Sequence, residues 1–357
     1  MTILDHLKAR GPLTIGRLSV PLPIVQGGMG VGISLSGLAS AVANLGGIGV
    51  LSAACISRTP RYAKEKITDE EALTREIRRA RSFTDGVFGV NIMVATANFD
   101  TLVRAAAEEE ADIIFAGAGL PLKLPGLLPK GSKTLLAPIV SSAKAAMLLI
   151  KWWGDKYGRV PDAIVAEGPL AGGHLGFKPE QINDPAFSLG SILDPIIQAV
   201  RPIPVIAAGG IYSGGDIKQA LDAGANAVQM GTRLVATEEC DAPDAFKQAY
   251  IAAKKEDIVI VQSPVGMPGR ALSNDFLRSV NAGTTAPTAC RYHCIQSCAR
   301  QKAPYCIADA LLNSLKGTAQ EGLLFAGANA WRIKEILPLK KLFNRLDDEF
   351  SKESAHE

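Results

Sequence analysis

The feature that most constrains this chain is a recurrence of short apolar runs, each leading into a glycine or polar turn and mostly followed by a helical stretch. Eight such runs stand between residues 23 and 230: Pro23–Gln26, Ile48–Leu51, Val87–Asn91, Asp112–Phe115, Leu135–Val140, Ala163–Ala166, Pro204–Ala207 and Ala227–Met230. Runs this short and this continuously apolar suit strands covered on both faces, as parallel sheets are. Helical patterns over Ser36–Leu45, Asp69–Arg81, Phe99–Glu109, Ala143–Lys156 and Gly215–Ala223 lie between them. Eight parallel strands joined by right-handed crossovers predict an α/β fold closed into a (β/α)8 TIM barrel. The competing arrangement, an open doubly wound sheet, is disfavoured because no dinucleotide fingerprint follows the first run. The barrel and its insertions account for residues 1–280, and residues 281–357 are expected to form a helical, cysteine-rich C-terminal extension.

A chain of 357 residues with 47% hydrophobic content can bury one large core. Its net charge of +3 comes from nearly balanced acids and bases, and aromatics make up 6% of it. Without a basic block or aromatics to stack on bases, nucleic acid is excluded as a partner. The sequence contains no apolar run of membrane-spanning length, and Met1–Lys8 lacks the ordered regions of a signal peptide. The expectation is a soluble cytoplasmic protein with reduced cysteines and a small-molecule substrate.

In a barrel of this kind, function sits at the carboxyl ends of the strands. The sixth run ends in Glu167-Gly-Pro-Leu-Ala-Gly-Gly-His174, a glycine-rich turn that presents one imidazole at the mouth. Gly172 and Gly173 allow backbone geometry that other residues resist. The first run leads into Gln26-Gly27-Gly28-Met29-Gly30, where main-chain amides could meet a flat ligand. Asn91 ends the third run with an amide able to donate and accept. Ala116–Pro121 and Ser141–Ser142 follow the fourth and fifth. After the seventh and eighth runs come Gly209-Gly210 and Gly231-Thr232, where barrels hold phosphate groups by backbone N–H, and Ser213 is placed to cap the helix that follows.

Taken together, Pro23-Ile-Val-Gln-Gly-Gly-Met-Gly, Ala166-Glu-Gly-Pro-Leu-Ala-Gly-Gly-His, Ala207-Ala-Gly-Gly-Ile and Val228-Gln-Met-Gly-Thr-Arg resemble the nitronate monooxygenase (2-nitropropane dioxygenase) family, which includes the flavin-dependent enoyl-acyl-carrier-protein reductase II branch. The likeness runs over roughly residues 12 to 280. It implies one FMN at the barrel mouth, contacted by Gly27, Gly28, Met29, Asn91, Gly173, Gly209, Gly210, Gly231 and Thr232, with His174 facing the substrate as acid or base. Gly266–Asn274 also resembles a stretch of the reductase branch. Leu170 departs from the pattern, standing where the family carries an acidic residue. Three activities follow as expectations: oxidation of alkyl nitronates, NAD(P)H-dependent reduction of an enoyl thioester or quinone-like acceptor, or a non-redox barrel for a phosphate ligand. Lys144 is a candidate cation near the reduced flavin.

Four of the six cysteines crowd into one segment, Cys290, Cys294, Cys298 and Cys306. A straight helix would spread Cys290 and Cys298 about 12 Å along its axis at roughly 1.5 Å per residue, too far for one metal. The segment is therefore a loop gathering an iron–sulfur cluster or zinc, or a set of reduced structural or redox-sensing thiols. His293 belongs with these cysteines, while His6 and His356 read as solvated. The alternating charges of Arg58–Lys66 mark a solvated face or lid, and the insertion Phe177–Leu193 borders the mouth. Cys240 reads as a bland thiol. Leu312–Phe350 reads as helices packed on the barrel or on a second copy in a homodimer.

Overall fold

The computed structural model describes residues 3, 12–285, 290, 292–298, 302–316 and 319–354. Eight strands run parallel in one sheet: β1 (Ile24–Gln26), β2 (Gly49–Ser52), β3 (Phe88–Met93), β4 (Ile113–Gly117), β5 (Leu135–Val140), β6 (Ile164–Glu167), β7 (Val205–Ala208) and β8 (Ala227–Met230). Each pairs with its neighbours in chain order, and β8 pairs with β1 through Val228–Ile24 and Met230–Gln26. The last seam closes through the parallel bridge between Val25 and Ile48. There Gln26 N–H donates to Ile48 O at 2.8 Å and Ile48 N–H to Ile24 O at 2.9 Å. The ring is complete, so the open sheet is excluded.

Residues alternate along each strand, which sorts them into two cores. Val25, Val50, Phe115, Ala137, Val165 and Ile206 fill the barrel interior. Ile24, Leu51, Ile114, Leu136, Ile164 and Ala207 face the surrounding helices. A hairpin of Leu13–Ile15 and Leu18–Val20 adds its buried side chains to the interior core. Gly16 at its tip lies against Leu135 and Asp162, at the amino-terminal ends of β5 and β6. That end is thereby plugged, and the opposite end remains for the site.

The helices that fix this ring are α1 (Ser36–Asn44), α2 (Asp69–Arg81), α3 (Phe99–Glu108), α4 (Ala143–Tyr157), α5 (Leu189–Val200) and α6 (Gly214–Asp222). Their ends follow local chemistry. Thr68 and Glu71 form a capping box at α2, the Ser142 hydroxyl accepts from Ala145 N–H at α4, and Gly158 ends α4 in the left-handed region at φ 62°. Close backbone approach also dictates composition: a Cβ on Gly49 would lie 1.8 Å from Ala39 O, so β2 meets α1 only through glycine.

Beyond the barrel, Ile258–Gln262 and Pro268–Leu272 form a hairpin, to which Gly173–His174 adds a short antiparallel strand. The C-terminal helix, Leu339–Ser354, lies along α6. Its Glu349 pairs with Arg233 at 3.0 Å and accepts from Gly214 N–H at 2.9 Å. Leu339, Leu342, Leu346 and Phe350 join the same core as the barrel helices. Among the described residues, no helix is long and apolar enough to cross a membrane.

Candidate active site

The carboxyl ends of the strands surround a cavity of about 250 Å³. All ten residues expected at the cofactor and substrate line it: Gly27, Gly28 and Met29 after β1, Asn91 in β3, Gly173 and His174 after β6, Gly209 and Gly210 after β7, and Gly231 and Thr232 after β8. The glycines are required by contact and by backbone. A Cβ on Gly28 would lie 2.2 Å from Asn91 Cβ. Gly209 and Gly210 hold φ of 90° and 100°, a region costly for residues with side chains. A Cβ on Gly209 would also strike Gly168 O at 2.4 Å. Bare backbone therefore faces the cavity at this turn.

His174 enters on its two-residue strand, registered against Gly269. Its Nε2 shares a 2.7 Å hydrogen bond with Ser263 Oγ, and its ring meets Phe325 edge-on at 4.9 Å between centroids. Burial lowers its pKa from 6.5 to about 4. The imidazole is therefore neutral at physiological pH and ready to accept a proton. The same desolvation acts oppositely on Glu167, the last residue of β6, which also lines the cavity. Its carboxyl is pushed up from 4.5 to about 7, so it is only partly ionised near neutrality.

Several wall residues carry no signal in the sequence. Ser263 is 89 positions from His174. Phe325, Ala326, Gly327 and Asn329 return from the C-terminal part to close the cavity beside β7 and β8. Gly327 N–H donates to Thr232 Oγ1 at 2.9 Å, and Asn329 Nδ2 donates to Gly210 O at 2.7 Å. Tyr250 OH fastens this return by donating to Phe325 O. Arg270 is buried, and no carboxylate among the described residues pairs with it. Its guanidinium donates to Pro169 O and to Ala171 O, the latter at 2.8 Å, holding the turn that leads to His174. Burial lowers its pKa to about 10, so it stays cationic at neutral pH.

Other expected positions fall elsewhere. Lys144 is exposed on α4 and does not line the cavity. Ser141 and Ser142 face a second cavity, of about 300 Å³, with Phe177 and Gln181 from the insertion. Gly117 and Ala118 line the mouth after β4, whereas Gly119 and Pro121 do not. Ser213 caps α6 in a box with Asp216. That helix start is further filled by Glu349, which accepts from Gly214 N–H. Arg61 in the charged stretch bonds inward to Glu76 and Asp241, locking the segment onto α2. Cys240 is buried and donates to Ile33 O. Leu170 lines the cavity while staying partly exposed. His293 is exposed, and His6 and His356 lie outside the described residues.

The cysteine segment differs from the four-thiolate reading. Among the described residues, no group of three or more His, Cys, Asp or Glu is arranged to hold a metal ion. Cys294 instead lines the mouth cavity, as does Cys55 from the turn after β2.

A closed parallel barrel with glycine turns and a neutral imidazole converging at its carboxyl mouth is a (β/α)8 barrel whose ligand site lies at that mouth. Within that class, the chain belongs to the nitronate monooxygenase family, whose model matches residues 12–102 and 94–349. It is 31% identical over 267 residues to a (3aS,4S,5R,7aS)-5-hydroxy-7a-methyl-1-oxo-octahydro-1H-indene-4-carboxyl-CoA dehydrogenase of Rhodococcus jostii, a match covering 74% of this chain and 66% of that relative. Among solved structures it resembles FabK from Thermotoga maritima, with a TM-score of 0.73, 28% identity and 94% of both chains covered. It also resembles the nitroalkane oxidase of Streptomyces ansochromogenes, with a TM-score of 0.73, 26% identity, and 94% of this chain and 98% of that one covered.

Proposed function

We propose that this chain is an FMN-dependent oxidoreductase that oxidises alkyl nitronates in the mouth cavity, with His174 moving the proton. The observation that carries this reading is the convergence of ten separately placed residues on one cavity whose histidine is uncharged. The residues fit the cofactor. The Gly209–Gly210 turn offers backbone where a phosphate needs close approach, and Gly28 lets the turn after β1 lie directly against Asn91, where no side chain would fit. FMN held there would supply the electron-transfer chemistry.

The chain's own groups do the remaining work. Neutral His174 can take the carbon proton of the parent nitroalkane, which forms the nitronate, and once protonated it can hold the anionic nitro oxygens. Ser263 fixes the ring through Nε2, and Phe325 fixes its plane. A fully ionised Glu167 would repel a nitronate, and the proton that burial keeps on it near neutrality reduces that repulsion. The wall from Phe325 to Asn329 covers one side of the cavity, and contacts it shields from water would be strengthened.

A second reading, NAD(P)H-dependent reduction of an enoyl thioester, is favoured by the full-length likeness to FabK. One experiment separates them. The flavoprotein is mixed anaerobically with propyl-2-nitronate, NADH or NADPH, and bleaching of the flavin band is followed. Bleaching by the nitronate and not by the nicotinamides is the expected result. Rapid bleaching by NAD(P)H alone overturns the nitronate reading in favour of the reductase. A colourless protein that cannot take up FMN overturns both and leaves a non-redox phosphate barrel.

A further inference from the structure

Between β6 and the short strand Gly173–His174 the chain is an irregular turn, and its carbonyls can be accounted for one by one. Gly168 O accepts from Ala171 N–H at 3.3 Å, and Leu170 O accepts from Ala328 N–H at 3.1 Å. Pro169 O and Ala171 O, which alternate with these, both accept from Nη1 of Arg270. Every second carbonyl of the turn is thus capped by one side chain that stands 101 and 99 positions further along the sequence.

The main chain of Arg270 reaches the same place. It lies opposite Gly173 in the antiparallel pairing, next to the pair of Gly269 with His174, and Leu175 N–H donates to Pro268 O at 2.8 Å. The carbonyl of Arg270 accepts from Ala326 N–H at 3.1 Å, beside the Phe325 ring that meets the imidazole edge-on. Ser263, the partner of Nε2, sits in the loop of the same hairpin. One hairpin therefore sets where His174 stands, and Arg270 is its grip on the turn that precedes the histidine.

We infer that Arg270 is a positioning residue for the reaction proposed above, acting through His174 by holding the Pro169–Ala171 turn in register with the hairpin. The inference rests on that reading for what the imidazole does, not for where it stands. A guanidinium suits the place. Arg270 is 5% exposed, and a buried cation is costly unless its hydrogens find acceptors. Guanidinium is less strongly hydrated than ammonium and keeps its charge where a buried lysine would lose it. Lysine also ends one bond short of Nη1, so its nitrogen falls away from the two oxygens. Arg270 does not itself line the cavity, so its loss should act on turnover more than on substrate binding.

The test compares wild type, Arg270→Lys and Arg270→Ala, each purified as the full chain with isotope-labelled histidine. Nuclear magnetic resonance follows the imidazole nitrogens of the four histidines, and His174 is assigned by its loss in His174→Gln. Wild type should show His174 with one hydrogen-bonded Nε2. Arg270→Lys should move that signal toward the average of a mobile ring and lower kcat for propyl-2-nitronate about 10-fold, with KM within about twofold. In Arg270→Ala the loss of kcat should reach about 100-fold. Guanidinium chloride at about 10 mM, far below denaturing concentrations, should restore signal and turnover in the alanine variant, and sodium chloride should not. An Arg270→Lys protein with the wild-type His174 signal and kcat overturns the inference. So does an Arg270→Ala protein that is less stable yet keeps both. If the alanine variant is too unstable to purify, the lysine variant decides. A wild type that turns over no nitronate sinks the proposed reaction, and the imidazole signals then still decide whether Arg270 holds His174 in place.

Discussion

At the residue scale, His174 is set apart by what surrounds it rather than by its own chemistry. Among the described residues its Nε2 has one hydroxyl partner and its ring one aromatic neighbour, and no carboxylate bonds to it. Its folded pKa, near 4, lies below the ordinary 6.5. Between those values the unfolded chain binds more protons than the folded one. The contribution to stability is thus complete above 6.5 and is lost as pH falls toward 4. For catalysis, the acid limb of kcat/KM should lie near pH 4, and His174→Ala should lower turnover by about 100-fold or more while FMN retention holds. Equal losses of flavin and turnover would make the residue structural, and a limb near 6.5 would show the imidazole to be solvated. The residue is readable in the sequence because a lone histidine ends a Gly-Gly turn. Ser263 is not, because a serine in a hairpin has no pattern that points across 89 residues.

At the element scale, the barrel closes at its shortest contact. β1 has three residues, and the bridge to β2 is a single pair. Gln26 extends this seam with its side chain: Oε1 accepts from Val50 N–H at 2.8 Å and Nε2 donates to Gly27 O at 2.6 Å. The residue is fully buried, so its amide substitutes for a strand hydrogen bond that water cannot supply. Gln26→Leu leaves two backbone groups unpaired, at about 1–3 kcal/mol each. Chemical denaturation should show a lower midpoint at unchanged slope; an unchanged midpoint would mean the seam closes without the amide. The strands themselves are legible because burial on both faces leaves unbroken apolar runs, as in Leu135–Val140. The helices are legible through caps such as Thr68–Glu71. The role of Gln26 is hidden, since a glutamine at the end of a strand looks like the start of a polar turn.

At the scale of the whole molecule, the site is a barrel mouth finished by the distant C-terminal part. The tail is recognisable as helical, but nothing in Leu323–Ala330 announces a return to the mouth. Its contacts there are single hydrogen bonds to glycine turns, which leave no periodicity behind. The placing of Cys55 and Cys294 on the wall of one cavity is hidden for the same reason, and spacing along the chain groups Cys294 with its sequence neighbours instead. Asn329→Ala removes the 2.7 Å clamp on Gly210. FMN affinity should fall about tenfold, equivalent to about 1.4 kcal/mol, with the far-ultraviolet circular dichroism unchanged. Equilibrium titration of the apoprotein checks this, and unaltered affinity would free the turn from any dependence on Asn329.

The wall that begins at Gly27 and is completed only at Asn329 also sets an order of events during synthesis. A growing polypeptide can shape its ring of strands early, yet the chamber stays breached until the stretch near residue 329 has emerged and doubled back. If the chamber takes the FMN proposed above, its capture would have to wait for that return, and would report that the stretch has found its place.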